Sequence, residues 1–263
     1  MSIFDALILG IIQGLTEFLP VSSSGHIELG KAILGVEITD SLTFTLLVHL
    51  ATVLSTIVIF RKVLLDLIIG VFSTPKFNEE KKYALMIILS MVPVGIIGVL
   101  FKDDLEALFT GKIVLVGLML CVTAVLLSFT YYKKNTSENI TYGKALIIGI
   151  AQSIAVLPGI SRSGATIATA LLLNVKKEEA SKFSFLMVLA PIIGGSLLEF
   201  KDVDFSQVAA GADSNLALLI GFIAAFASGL FACKIMINIV NKGKLIYFAI
   251  YCLIAGLIAI FFG

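Results

Sequence analysis

Long apolar runs separated by short polar stretches dominate the chain. Five of them, about 41–60, 84–101, 112–131, 216–238 and 245–262, approach the roughly 20 apolar residues that a helix needs to cross a bilayer. A sixth run, about 179–199, is expected to span as well, although it contains Pro191; Pro93 interrupts the second. Neighbouring helices can satisfy the carbonyl that each proline frees. Residues 63–72 either extend the first span or form a short helix at the interface.

Two further apolar stretches are too short to cross and stop cleanly. Residues 4–19 end at Pro20 and a serine cluster, and residues 145–157 end at Pro158-Gly159 and a second serine cluster. Each is followed by another short helical stretch, 24–36 and 163–174. Helix, break, helix is the pattern of a re-entrant hairpin whose non-helical tip lies buried in protein rather than in lipid. The two hairpins, about 4–36 and 145–174, also resemble each other. Ala6-Leu7-Ile8, Gly10 and Gln13 match Ala145-Leu146-Ile147, Gly149 and Gln152 at an offset of 139. Leu19-Pro20 matches Leu157-Pro158 after a slip of one residue, and Ser22, Ser24 and Gly25 return to the offset at Ser161, Ser163 and Gly164. The segment 44–51 continues it at 183–190. The expected fold is therefore an all-α polytopic membrane protein forming one membrane domain, 1–263. It holds two repeats, 1–132 and 140–263, each a re-entrant helix hairpin plus three transmembrane helices. Three is odd, so the second repeat is inserted upside down relative to the first, an inverted topology.

Composition supports this class. Hydrophobic residues make up 59% of the 263, charged residues only 14%, and the mean hydropathy is +1.07; soluble domains hold about 45–50% apolar and 25% charged residues. A net charge of +1 gives no electrostatic case for nucleic acid. Cys121, Cys233 and Cys252 sit in apolar runs without metal spacing and read as small core residues. The first thirty residues contain no Lys or Arg, so the n-region of a signal peptide is missing. Charge also orients the chain. If span 41–60 ends on one side, that side collects thirteen Lys and Arg residues and the other four, leaving out Lys234 in a span and Arg162 in a hairpin. The richer side is cytoplasmic by the positive-inside rule. The termini then face outward, and the hairpin tips meet near the midplane, where inverted-repeat proteins place their sites.

The tips carry the chemistry. The first holds Gln13, Glu17, Ser22, Ser23, Ser24 and His26; the second holds Ser161, Arg162, Ser163 and Thr166. Gln13 and Glu17 share a helix face. An ionisable residue at membrane depth costs on the order of 2.5–3.5 kcal/mol, which makes Glu17 and Arg162 functional candidates by default. A structural ion pair joining the halves is the plain alternative. Half-helix N-termini, the hydroxyls of Ser22, Ser161, Ser163 and Thr166, and a bidentate arginine form an anion site suited to phosphate. A carboxylate there repels phosphate unless a divalent cation intervenes, and Glu17 with Gln13 offers oxygens for one. His26 lies three or four residues beyond Ser23 and Ser22 and can act as general acid or base. His49, in an apolar span with no polar neighbours in sequence, reads as an interior histidine. Asp5, Glu28 and Lys31 read as interface charges. The set suits phosphoryl transfer, in which positioning and charge neutralisation do most of the catalysis.

The segments QGLTEFLPVSSSGH (13–26) and LPGISRSGAT (157–166) resemble the two signature segments of the bacterial undecaprenyl-diphosphate phosphatases, the bacitracin-resistance (BacA/UppP-type) family. The resemblance covers essentially the whole chain. It implies two interlocked inverted repeats in the bacterial plasma membrane and hydrolysis of a polyprenyl diphosphate, undecaprenyl diphosphate, to the monophosphate. That reaction recycles the lipid carrier of cell-wall sugars, and it uses a divalent cation, Mg2+ or Ca2+. It further implies that Glu17 is essential, with Gln13 beside it at a position where many members carry Glu. Ser23 would be the serine nucleophile with His26 next to it, and Arg162 would hold the diphosphate with Ser161 and Thr166. Hydroxyl attack, histidine attack and activated water need the same neighbours and stay open as alternatives. So does a homodimer. Two other function classes fit the architecture: a transporter or flippase of polyprenyl phosphate, and a structural protein whose tips only lock the halves together.

Overall fold

The structure, a computed structural model, describes residues 1–36, 41–73, 75–101, 108, 112–133, 137–199 and 212–262. These residues are helical apart from turns and one isolated β-bridge between Glu138 and Val175. In chain order the helices are α1 (Ile3–Phe18), α2 (Ser23–Leu34), α3 (Ser41–Phe72), α4 (Glu79–Leu100), α5 (Ile113–Phe129) with a short 3-10 turn behind it, α6 (Tyr142–Ile154), α7 (Arg162–Leu172), α8 (Lys177–Met187), α9 (Leu189–Glu199), α10 (Ala212–Asn241) and α11 (Ile246–Phe262).

Among the described residues, four helical stretches are long and apolar enough to cross a membrane: Thr43–Phe72, Glu79–Leu100, Ile113–Tyr132 and Asn215–Asn241. They coincide with four of the expected spans. Residues 63–72 extend the first of them. The fifth expected span is a shorter apolar helix of 17 residues, Ile246–Phe262. The sixth needs correcting. Residues 179–199 do not form one continuous helix, because α8 stops at Met187 and α9 starts at Leu189. Pro191 has no N–H to donate to the carbonyl of Met187, four residues earlier, so the ladder breaks just ahead of the ring. Pro93, by contrast, lies inside α4, which continues past it.

Both helix–break–helix units are present, at α1–α2 and α6–α7. Leu19 precedes Pro20 and is forced into extended backbone (φ −68°, ψ 143°), which ends α1. Ser22 then caps α2 with φ at 71°, a conformation that L side chains rarely adopt and that clusters at functional sites. In the second unit the reversal falls on Gly159, with φ at 97°, where the absence of a Cβ removes the strain.

Small residues let the helices pack at backbone distance. α1 lies along α10, with Gly10 against Gly221 and Gly14 against Ala225 and Ser228. α6 lies on α4, with Gly149 against the backbone of Ser90. α5 and α11 pair through Gly117 and Gly256, each of which faces the other's carbonyl. The main core gathers Phe18, Phe60, Phe183, Phe185, Met187 and Met236 around the hairpin tips, while Ile, Leu and Val side chains of α4, α5 and α11 point outward. That outward apolar surface is what a lipid-facing helix requires. Within the core, Phe18 meets Phe185 edge to face with ring centroids 5.7 Å apart.

The α5–α11 contact leaves no room for a side chain, since a Cβ on Gly117 would stand 2.7 Å from the carbonyl oxygen of Gly256. Gly117→Val should therefore lower the thermal unfolding midpoint in detergent, at a cost of about 1–3 kcal/mol. Gly98→Ala, where nothing lies within 4 Å of the added carbon, should leave it unchanged or raise it.

Candidate active site

Glu17 is the hub. It sits in the last turn of α1, so its carboxylate projects into the gap between the two broken tips. The side chain is only 8% exposed and takes donors from three directions. Oε1 accepts from Nη2 of Arg162 at 2.9 Å. Oε2 accepts from Nε2 of Gln13 at 2.9 Å and from the hydroxyl of Ser23 at 2.7 Å. Gln13 reaches it because positions four apart share a helix face, Ser23 because α2 begins there, and Arg162 because α7 begins there. In the offset of 139, Arg162 occupies the place that Ser23 holds in the first tip. Corresponding positions of the two hairpins thus grip the two oxygens of one carboxylate. A carboxylate this deep persists as an ion only when paired and fully hydrogen-bonded.

The remaining tip hydroxyls divide into two groups. Those of Ser22 and Ser161 are N-caps, accepting from the backbone N–H groups of Gly25 (3.3 Å) and Gly164 (3.0 Å). Ser163 donates to the carbonyl of Leu19 at 3.3 Å and ties one tip to the other. Thr166 donates to the carbonyl of Arg162 at 2.8 Å and also pairs with the hydroxyl of Ser184 on α8. Thr123 of α5 braces the second tip, accepting from the N–H of Ser161 and donating to the carbonyl of Gly159.

Neither histidine stands where its sequence neighbours suggest. The ring of His26 does not meet Ser23 or Glu17. Its Nδ1 donates to the carbonyl of Ser22 at 2.9 Å, which leaves Nε2 of the neutral ring to accept from the hydroxyl of Tyr251 at 2.7 Å. Three residues beyond Ser23, the ring leans back over the first turn of α2 toward α11, where it stacks on Tyr251. His49, expected to be an inert interior residue, stands with Nε2 3.9 Å from Oε2 of Glu17. Its Nδ1 donates to the carbonyl of Thr45 at 2.8 Å, which leaves Nε2 facing the carboxylate. α3 packs beside α1 and carries His49 there.

A small cleft opens beside Glu17 and Arg162. Ser163, Thr166, Thr52, Thr56, Ser184 and Gln152 give it polar wall; Phe18, Val53, Phe185 and Ile192 give it apolar wall. Of the residues singled out in the sequence, Glu17, Arg162, Ser163 and Thr166 line this space. Gln13 and Ser23 reach it through Glu17. Ser22, Ser161 and His26 do not line it. Nothing in the sequence marks Thr52, Thr56, Ser184 or Tyr251 as a neighbour of the tips; Gln152 is marked there only as the repeat partner of Gln13, and His49 only as an interior histidine.

Among the described residues no three His, Cys, Asp or Glu side chains converge, so a fully protein-caged ion has no donor set here. Oε1 of Gln13, however, is buried without a hydrogen-bond partner, on the same amide that bonds Glu17. One carboxylate plus a free amide oxygen fits the open kind of shell, in which a hard cation takes its other ligands from water and substrate phosphates.

The fold and the site define a polytopic helical membrane protein with a buried glutamate paired to a partly exposed arginine, rimmed by hydroxyls, between two broken helices. Residues 6–258 match the family model described as bacitracin resistance protein BacA, and the chain belongs to that family. It is 54% identical over 261 residues to a protein of Bacteroides fragilis named undecaprenyl-diphosphatase, covering 99% of this chain and 98% of the other. A protein of the same name from Christiangramia forsetii is 53% identical over 264 residues (100% and 98% covered). One from Methanosphaera stadtmanae is 37% identical over 277 residues (99% and 98% covered).

Removing one member of the Glu17–Arg162 pair strands the other in the interior. Glu17→Gln and Arg162→Gln should each lower the unfolding midpoint in detergent, by an amount corresponding to about 3 kcal/mol. The double variant should recover part of that loss, and a double-mutant cycle on thermal unfolding reads the coupling directly.

Proposed function

We propose that this protein hydrolyses undecaprenyl diphosphate to undecaprenyl phosphate and inorganic phosphate, the reaction named for its relatives, and that the Glu17–Arg162 centre is where it does so. The observation that carries this reading is the convergence of the two tips on one buried carboxylate. In the proposed architecture the tips belong to two inverted repeats, 1–132 and 140–263, each a re-entrant hairpin with three spans. The packing of α1 on α10 and of α6 on α4 supports this, because α4 and α10 correspond at the same offset of 139. Each hairpin thereby leans on the other repeat. The lysine and arginine asymmetry supports a plasma-membrane orientation with the termini and the site opening outward, where a lipid diphosphate enters from the outer leaflet.

Arg162 holds the diphosphate. Its guanidinium has five donors, so it can keep one on Glu17 while turning others to phosphate oxygens in a planar fork. Ser163 and Thr166 line the same cleft. Ser23 is the nucleophile this geometry favours, and Glu17 rather than His26 is its base, because the Ser23 hydroxyl already donates to the carboxylate at 2.7 Å. The Ser23 oxygen attacks the terminal phosphorus and its proton passes to Glu17. The bridging P–O bond breaks, and undecaprenyl phosphate leaves. Glu17 hands that proton to the departing phosphate oxygen; the freed carboxylate then deprotonates a water, which attacks the phosphoserine, and returns the proton to the Ser23 oxygen as inorganic phosphate is released. A divalent cation, Mg2+ or Ca2+, would be held by Glu17 and the free Oε1 of Gln13 and would neutralise diphosphate charge. His26, bonded to Tyr251, orients the start of α2 and hence Ser23.

Phosphate release from a polyprenyl diphosphate by detergent-solubilised protein is the primary test, because hydrolysis needs no sealed compartment and transport does. Arg162→Lys should lose most of that activity with folding intact, since an ammonium cannot reproduce the fork. Ser23→Ala should be as inactive as Glu17→Gln, and rapid quench should trap a base-labile, acid-stable phosphoryl group on the peptide containing Ser23. An acid-labile adduct would instead point to histidine.

Gln13→Glu adds a carboxylate beside Glu17. The concentration of magnesium or calcium giving half-maximal activity should fall. An unchanged or higher value would remove Gln13 from the cation's shell.

A further inference from the structure

Gln152 is an amide that nothing among the described residues satisfies. It sits in the last turn of α6, 1% exposed, and both its Nε2 and its Oε1 are buried without a hydrogen-bond partner among the described residues. A buried polar group left unpaired carries its full desolvation penalty, so such a side chain calls for a partner. The repeat shows why it has none. Gln13 spends its Nε2 on Glu17, four residues later; the residue four beyond Gln152 is Val156. The second hairpin keeps the amide and drops the carboxylate. Gln152 also lines the cleft beside Glu17, together with Arg162, Ser163, Thr166, Ser184, Thr52 and Thr56. That wall holds one carboxylate, already bonded to Arg162, and is otherwise rich in donors. Its complement is a compact anion with several oxygens.

We infer that Gln152 is a substrate-binding residue, its carboxamide hydrogen-bonding the terminal phosphoryl group of the diphosphate and, after cleavage, the inorganic phosphate formed from it. The two N–H donors of Nε2 address phosphate oxygens, and Oε1 accepts from a protonated phosphate oxygen or from a water that the phosphate carries. The inference rests on the proposed diphosphatase reading and deepens it. One hairpin supplies a carboxylate for the chemistry; the other supplies an arginine and a neutral amide for recognition. A neutral amide suits the task because it adds donors without a charge that would pull Glu17 away from Arg162.

The test uses full-length protein in detergent and two variants. Gln152→Leu removes both polar atoms at similar length, and Gln152→Glu keeps the length but replaces the donors with an acceptor. Gln152→Leu should unfold at the same temperature as the parent or higher, since no orphan amide remains. Its KM for a polyprenyl diphosphate and the inhibition constant of inorganic phosphate should both rise roughly tenfold or more, the usual size of a lost hydrogen bond to a charged group. Gln152→Glu should bind both more weakly still. The thermal shift produced by inorganic pyrophosphate, which needs no turnover, should be present in the parent and lost in both variants. An unchanged phosphate inhibition constant and an undiminished pyrophosphate shift would overturn the inference and leave the amide a buried-water site. So would a parent protein that pyrophosphate does not shift. Should the parent release no phosphate from the lipid, the proposed function falls by itself, and the pyrophosphate shift still decides the role of Gln152. Similar losses on lipid substrate and on free pyrophosphate locate the contact at the phosphate rather than at the lipid chain.

Discussion

Everything at the centre of this molecule answers to one demand: a carboxylate and a guanidinium placed deep in an apolar bundle must stay within hydrogen-bonding distance of each other. Glu17 and Arg162 come from segments 145 residues apart and meet at 2.9 Å. Neither is tolerable alone at that depth. Two helices must therefore stop where they do, because a continuous helix would carry either side chain past the other. Pro20 ends the first approach helix, the second stops at Ile154 ahead of the reversal at Gly159, and Ser22 and Ser161 start the departing ones. The caps, the Ser163 bridge to Leu19 and the Thr123 brace serve to hold that meeting point.

The pair also explains the division of labour between the hairpins. Both present an amide one helical turn before the break and a hydroxyl cap after it. Only the first has an acid behind its amide, and only the second has a guanidinium after its cap. The two tips are alike in amide and cap and differ in charge. A symmetric pair of acids would repel, and a symmetric pair of arginines would have no internal counter-ion. The arrangement observed is the one in which the protein is neutral at its centre and yet keeps spare donors for an anion.

Much of this was legible in the order of residues. Prolines that end an apolar stretch too short to cross are a direct statement about backbone hydrogen bonds, so both helix–break–helix units could be placed to within two or three residues. The Gln13–Glu17 contact followed from helix spacing, and the Glu17–Arg162 pair was the plain reading of two charges in such surroundings, whereas Ser23 was expected beside His26 and is found on Glu17. What escaped notice depended on packing between distant elements. Nothing local to His49 marks it, since its polar neighbour, Glu17, arrives on α1. Tyr251 reaches His26 from 225 residues away, and its face of α11 is set by the Gly117–Gly256 contact rather than by any motif. The split between α8 and α9 at Val188 was foreseeable from Pro191; that run had been read by its hydropathy instead.

The packing of α1 on α10 has a consequence for biosynthesis. Gly10 and Gly14 leave the ribosome early, but the surfaces that receive them, from Gly221 to Ser228, are among the later parts to be translated. Until then the hairpin that bears Glu17 has entered the bilayer without its main neighbour, and Arg162 has not been joined to it for most of that interval. The nascent chain thus harbours an unpaired acid in or near lipid, a species that insertion machinery must shelter or that must wait at the interface. Such long-range closure makes assembly slow and leaves intermediates exposed.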